Sequence, residues 1–275
     1  MHPRLSALAA LRLQHPDRKV AATRLAAAQG MTDSISADGV RVAGDEDGVP
    51  GRPDHPRRVP ATAVEKRSPF THEGRAALIH SICHIEFNAI NLALDAVWRF
   101  DGMPEAYYRD WLGVADEEAQ HFMLLQSHLQ TMGYRYGDFS GHDGLWQMCE
   151  KTKGDVVARM ALVPRTLEAR GLDATPLIQA KLKRVNTPDA RGAIEILDRI
   201  LRDEVGHVAI GNRWYRWLCE RRGLDPINHY RALYRQYAAP RLRGPFNVEA
   251  RTRAGFTREE LDELLSDRKS PATPS

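Results

Sequence analysis

Only three of the 275 residues are cysteine, Cys83, Cys149 and Cys219, and they form no CxxC or CxxH pair. That spacing excludes a disulfide framework, a zinc ribbon and a rubredoxin-type iron site, and a reducing cytoplasm is the expected compartment. Long apolar runs are also lacking. No stretch approaches the roughly 18 to 20 apolar residues of a membrane span. The first thirty residues carry Arg4, Arg12, Asp17, Arg18, Lys19 and Arg24, which interrupt any signal-peptide core. Neither sign of charge dominates, since 39 Lys+Arg face 36 Asp+Glu for a net charge of +3. The basic residues are scattered singly or in short pairs such as Arg57-Arg58 and Arg221-Arg222, so composition offers no nucleic-acid patch. Strand-like alternation is nearly absent, with one weak hairpin signal around Gly39 to Ala43. What remains is an ordinary globular composition, 43% hydrophobic and 27% charged, long enough for one large domain or two small ones.

Residues 4 to 29 are rich in Ala and Leu at helical spacing, interrupted at His15-Pro16-Asp17, which predicts two short helices. Between Gly30 and Pro69, five glycines and five prolines preclude a continuous helix and predict an extended arm. A helical pattern then persists to about Arg222. The expected helices are Thr71 to Phe100, Pro104 to Met132 with Gly133 as its stop, His142 to Arg170, and Pro188 to Arg222 before Gly223. A short connecting helix is expected to start at Thr175-Pro176 and run to about Val185. Beyond Leu224, short helices are expected near Asn228 to Tyr237 and Thr257 to Leu265, before a disordered-looking Ser270 to Ser275. This divides the chain into an N-terminal helical and arm segment (1–70), a four-helix block (71–222) and a helical extension (223–275). Four long amphipathic helices in succession argue for an all-α bundle.

Two of the expected helices carry the same motif. Glu118-Ala119-Gln120-His121 and Glu204-Val205-Gly206-His207 are both ExxH, and positions i and i+3 share one helix face. With 16 Glu and 11 His in the chain, chance alone gives roughly 0.6 such matches, so a single one carries no weight. Here each is preceded by a helix with a candidate glutamate, Glu86 at 32 residues before Glu118 and Glu168 at 36 before Glu204. A glutamate helix followed by an ExxH helix, repeated, is the ligand order of di-iron and di-manganese carboxylate bundles. Around Glu86 the neighbours one and two turns away are Ile79, Ile82, Cys83, Ala89, Ile90 and Ala93; around Glu204 they are Leu197, Ile200, Leu201 and Val208. Glutamates on apolar stripes point inward and must be neutralised, paired or bound to metal. Four glutamates and two histidines match two divalent ions in charge.

Glu168 is the most exposed to helix geometry, since Pro164 precedes it by one turn and Gly171 follows, which predicts a kink or an end there. Glu150 is the alternative on that helix, but its separation from Glu204 breaks the repeat. Glu117 and Asp203 each precede a ligand glutamate, and metal-bound histidines commonly donate to a carboxylate. The expected pairing is crossed, Asp203 to His121 and Glu117 to His207. His84 lies about 200° around the helix from Glu86, so packing or surface roles are expected for it and His80. The Trp and Tyr residues read as core packing, with Trp111 two turns before Glu118 at the edge of the site.

Five strings, "AALIHSICHIEFNAINLALDAVWRF", "DWLGVADEEAQHFMLLQSHL", "YGDFSGHDGLWQM", "ARMALVPRTLEARGLDATP" and "ILDRILRDEVGHVAIGNRW", resemble the ferritin-like family known as domain of unknown function 455. The resemblance spans about residues 1 to 265, including the "GRPDHPRRVP" arm. It implies a ferritin-like di-metal bundle with Glu86, Glu118, His121, Glu168, Glu204 and His207 as ligands, and it supplies no substrate. A more distant similarity, in ligand order alone, is to a bacterial tRNA hydroxylase. The expected function is an oxygen-activating oxidoreductase holding two metal ions, iron first and manganese second. No flavin, haem or iron–sulfur motif is visible, so an external electron donor or reductase and a small-molecule substrate are the expected partners, without nucleic acid or membrane. Three other readings compete: iron oxidation for storage or detoxification, tRNA hydroxylation, and a non-enzymatic helical interaction module.

Overall fold

The computed structural model describes residues 2–32 and 48–266 and is all-helical, with no strand among the described residues. The Gly39–Ala43 hairpin signal and the tail from Ser270 to Ser275 lie outside the described residues. The chain divides into two compact units, Met1–Gln147 with Leu182–Ile196, and Met148–Lys181 with Leu197–Ser275.

The first unit is built on α1 (Pro3–Arg12), α2 (Pro16–Thr32), α3 (His72–Arg99) and α4 (Glu105–Thr131). The break between α1 and α2 falls where Pro16 was expected to place it. Helix α3 starts where the Thr71 hydroxyl accepts from Gly74 N, the usual way to satisfy one of the first free N–H groups. Gly74 is required there, because a Cβ would stand 1.9 Å from Ser68 O. Helix α4 ends at Gly133, whose φ of +79° belongs to the left-handed region. Helix α3 is also long and apolar enough to cross a membrane, but 78% of its most apolar window is buried inside the structure, as in the core helix of a folded unit.

The arm is not a loose linker where it is described. Lys19, fully buried on α2, donates to Leu11 O (3.0 Å), Gly51 O (2.9 Å) and Asn91 Oδ1 (2.5 Å), so one ammonium joins α1, the arm and α3. Burial, with Arg52 nearby, pulls its pKa down to about 7, while three acceptors match the three N–H groups of the charged form. Gly51 approaches so closely that a Cβ would stand 2.0 Å from Arg12 O. Farther along, Gly141 O accepts from Val59 N and Gly141 N donates to Arg57 O. These bonds form an isolated parallel bridge between the arm and the segment after α4. His80 and His84 of α3 hold that segment. Gly137 N donates to His80 Nε2 at 2.9 Å, and His84 Nδ1 lies 2.9 Å from Tyr136 Oη. Burial lowers both imidazoles to a pKa of about 4, so at neutral pH they are uncharged packing groups, as expected.

The second unit departs from the sequence reading. The expected third helix, His142 to Arg170, is instead α5 (Gly144–Lys151), α6 (Val156–Leu162), a π-helical turn (Val163–Glu168) and the start of α7 (Ala169–Val185). Asp155 causes the first break by capping α6, its carboxylate accepting from Val157 N and Ala158 N. Buried Arg159 satisfies a carbonyl left open at the end of α5, donating to Cys149 O (2.6 Å), and also donates to the Thr152 hydroxyl, Oγ1 (2.9 Å). Gly171 does not stop α7, and Pro176 lies inside it rather than opening a separate connecting helix. Helix α8 (Pro188–Arg221) has the expected extent, and α9 (Pro226–Gln236) and α11 (Arg258–Ser266) match the two expected extension helices. Between them α10 (Val248–Arg253), which the sequence reading did not anticipate, packs Ala250 and the adjacent Ala254 against Ala169, Leu172 and Val208.

Helix α10 is anchored by charge as well as by packing. Arg251, 1% exposed, donates to both oxygens of Asp173 at 3.0 and 2.6 Å and to Ala169 O at 3.2 Å. Removing one partner of such a pair strands a buried charge. Arg251→Leu is therefore expected to lower unfolding free energy by about 3–5 kcal/mol, read from the urea midpoint. Adding Asp173→Leu should restore part of that loss, and a single substitution as stable as the parent would contradict the pairing.

Candidate metal centre

Three of the expected ligands meet in the first unit. Glu86 comes from the middle of α3; Glu118 and His121 come from α4, one turn apart on one face. Their exposures are 3%, 0% and 0%. The apolar stripe predicted around Glu86 is in place, with Ile79, Ile82, Cys83, Ala89, Ile90 and Ala93 all buried. His121 Nδ1 stands 3.3 Å from Glu86 Oε2 and 3.3 Å from Glu118 Oε2. A donor oxygen or nitrogen from each of the three lies within 4.8 Å of the others.

The electrostatics follow from this crowding. Burial, then the neighbouring Glu118, raises the Glu86 carboxyl well above the usual range. Burial by itself would lower His121, but hydrogen bonds and charge from Glu118 and Glu86 outweigh it and lift the imidazole to about 11. Without an ion, the cluster therefore retains protons on a carboxyl and an imidazole at neutral pH. A divalent ion displacing those two protons leaves the charge of the cluster unchanged. The thiol of Cys83, one turn before Glu86, is also pushed well above its ordinary pKa, first by burial and then by Glu86, so it stays protonated and unreactive.

The donor set fits a divalent cation. Carboxylate oxygen and imidazole nitrogen bind such ions at about 2.1 Å, so donors on opposite sides of an ion stand about 4.2 Å apart. The 3.3 Å separations, with the donor atoms all within 4.8 Å of one another, need only small side-chain adjustments to meet that spacing. Glu86, Glu118 and His121 could hold a metal ion.

The second unit carries the other three expected ligands. Glu204 and His207, 8% and 1% exposed, lie one turn apart on α8 with Glu204 Oε1 3.8 Å from His207 Nδ1. Glu168, also 8% exposed, is the last residue of the π-helical turn. The expected kink at Pro164 takes the form of that widened turn, not of a helix end. Pro164 removes one N–H from the ladder, and Thr166 Oγ1 donates to Ala161 O at 2.7 Å. On α8, Gly211 makes room for the proline ring, since a Cβ there would stand 2.6 Å from Pro164 Cβ. Single π turns within α-helices are frequent at functional sites. Of the expected outer residues, Glu117 is exposed, and Asp203 is half-buried with Oδ2 3.6 Å from Arg199 Nε. Trp111 is 2% exposed and packs edge-on against Tyr107 at 6.3 Å.

Sequence reasoning missed Arg165, which sits on the same π turn as Glu168 at 3% exposure. Its guanidinium bonds Asn212 Oδ1 of α8 and Glu260 Oε1 of α11. The one signal for it was Pro164, which marks the irregular turn but not which side chains the turn buries.

Comparison with known proteins agrees with this reading of the chain at the level of family. Over 224 residues, 79% of this chain and 77% of the relative, it is 50% identical to an uncharacterized protein of Haemophilus influenzae. No solved structure matches it. The family described as "Protein of unknown function (DUF455)" matches residues 12–262. With nearly its whole length accounted for, the chain belongs to that family.

Proposed function

We propose that this chain is a ferritin-like di-metal carboxylate protein that uses oxygen to oxidise a small organic substrate. The observation that carries the reading is the buried meeting of Glu86, Glu118 and His121. In this proposal Glu168, Glu204 and His207, the second half of the repeated glutamate-then-ExxH order, complete the set, and the six residues together hold two ions, iron in preference to manganese. The repeated glutamate-then-ExxH order supports that pairing, as does the burial of all six side chains. When bound, such ions supply redox chemistry and Lewis acidity toward oxygen.

The protein's own contribution is positioning and proton handling. His121 Nδ1, between two carboxylate oxygens at 3.3 Å, and Glu86 hold the protons that a bound ion would replace, and both would then serve as its ligands. The apolar residues flanking Glu86 exclude water from the oxygens. Electrons come from a separate donor, in keeping with the absence of any flavin, haem or iron–sulfur motif from the sequence.

Protein reconstituted with Fe(II) should hold about two ions per chain, and Glu118→Ala with Glu204→Ala should abolish binding while leaving helical circular dichroism intact. Elemental analysis decides this, and unchanged metal content would sink the assignment. Fe(II)-loaded protein should consume oxygen faster than the same concentration of free Fe(II), as an oxygen electrode would record. Equal rates would leave metal binding without oxygen activation.

A pH dependence follows from the raised Glu86 and His121. In the metal-free protein both hold protons that the unfolded chain has released above about pH 4.3 and 6.5. The folded state then binds more protons than the unfolded state, so metal-free stability falls as pH rises toward the folded values. Metal binding removes those protons and with them this slope. A chelator should therefore lower the melting temperature more at pH 8 than at pH 5.5. Equal losses at both values would contradict clustered, protonated burial.

A further inference from the structure

The π-helical turn Val163–Glu168 lies wholly within the second unit, and Glu168 is its last residue. Ala169 N reaches back to Pro164 O, five residues away, where an α-helix closes on four. A turn widened by one residue carries everything after it about 100° around the helix axis relative to an unbroken α-helix. The face on which Glu168 stands is therefore set by whatever keeps this turn wide. Three consecutive residues of the turn are held from outside it. Pro164 fits against Gly211 of α8. Thr166 Oγ1 spends its hydrogen on Ala161 O, so the Tyr230 hydroxyl of α9, 2.9 Å away, donates to it. Arg165, 3% exposed, donates through Nη1 to Asn212 Oδ1 (2.5 Å) and through Nη2 to Glu260 Oε1 (2.7 Å).

Glu260 is itself fixed in place. It is the third residue of α11; its Oε2 accepts from Thr257 N (2.8 Å) while its own N donates to the Thr257 hydroxyl (3.3 Å), a capping box at the start of that helix. The same Oε2 accepts from Arg216 Nη2 of α8 at 2.8 Å. Burial by itself would raise this carboxyl, but Arg165, Thr257 N and Arg216 outweigh it and hold the group below the usual carboxylate range, so it is an anion at neutral pH. The oxygen left over, Oε1, is the one that faces Arg165.

We propose that Glu260 is a positioning residue for the metal centre: by holding Arg165 it keeps the turn wide and Glu168 on the face where it serves as a ligand, so that the C-terminal extension governs how tightly one of the two ions is held. This rests on the reading of Glu168 as a ligand, and Glu260 itself touches no ion. A packing role alone would stabilise the fold without distinguishing the ions. Positioning makes one ion depend on α11 and leaves the ion of Glu86, Glu118 and His121 as it was.

Anaerobic isothermal titration of the full-length protein with Fe(II) tests this. The parent should take up about two ions. Glu260→Gln keeps the side chain's size and the capping acceptor but removes the charge; one ion should bind as in the parent and the other about 10- to 100-fold more weakly, with helical circular dichroism unchanged at the titration temperature. Tyr230→Phe removes only the hydroxyl that reaches Thr166 and should weaken the same ion about fivefold, the worth of one neutral hydrogen bond; it decides the matter if Glu260→Gln does not fold. Glu263→Gln, also on α11 but paired with Arg231 of α9, should bind both ions like the parent. The proposal is overturned, with the metal reading intact, if Glu260→Gln and Tyr230→Phe both hold two ions as tightly as the parent, or if Glu263→Gln loosens an ion equally. A parent that binds no Fe(II) overturns the ligand assignment and this proposal with it.

Discussion

Ionised side chains held away from water must find compensation within a few ångströms, and that constraint governs both halves of this molecule. In the first unit it appears at Glu86, Glu118 and His121, where two carboxylates share one imidazole at 3.3 Å each. The imidazole stays protonated and one carboxyl is driven toward its neutral form. The arrangement is neutral as it stands and stays neutral when a divalent ion replaces two protons. A site of this kind can be buried whether or not an ion is held, which lets α3 and α4 pack over it.

The same constraint explains features that would otherwise read as irregularities. Arg159 is buried because the last turn of α5 leaves carbonyls that need donors. Arg251 is buried because Asp173 on α7 faces it with both oxygens. Lys19 is buried because three oxygen acceptors from three separate segments converge on one ammonium. Lys19 and Arg251 join pieces far apart in the chain, so each acts as a tie as well as a charge.

Small residues make these ties sterically feasible. Gly51 allows the arm to touch the end of α1, and Gly141 lets the segment after α4 lie against His84, which would stand 2.5 Å from a Cβ there. Gly211 admits the Pro164 ring and thereby allows the widened turn that carries Glu168. In each case a residue whose sequence signature is merely "helix breaker" or "loop" serves close approach between segments.

Much of this was legible in the sequence because it depends on local spacing. Proline and glycine mark the ends of α1, α2, α4 and α8 through backbone geometry that neighbouring residues alone impose. The repeat of a glutamate helix followed by ExxH identifies Glu86, Glu118 and His121 because residues three apart share a helix face wherever the helix lies. The break at Thr152–Asp155, the passage of α7 through Pro176, the existence of α10 and the burial of Arg165 were not legible. The last two depend on a partner distant along the chain, Asp173 for Arg251 and Glu260 for Arg165, as the widened turn at Pro164 does on Gly211. The sequence by itself determined most of the helices and the spacing that places Glu118 and His121 on one helix face. Tertiary structure decided where helices bend and which charges are enclosed, because those outcomes rest on contacts that no local periodicity encodes.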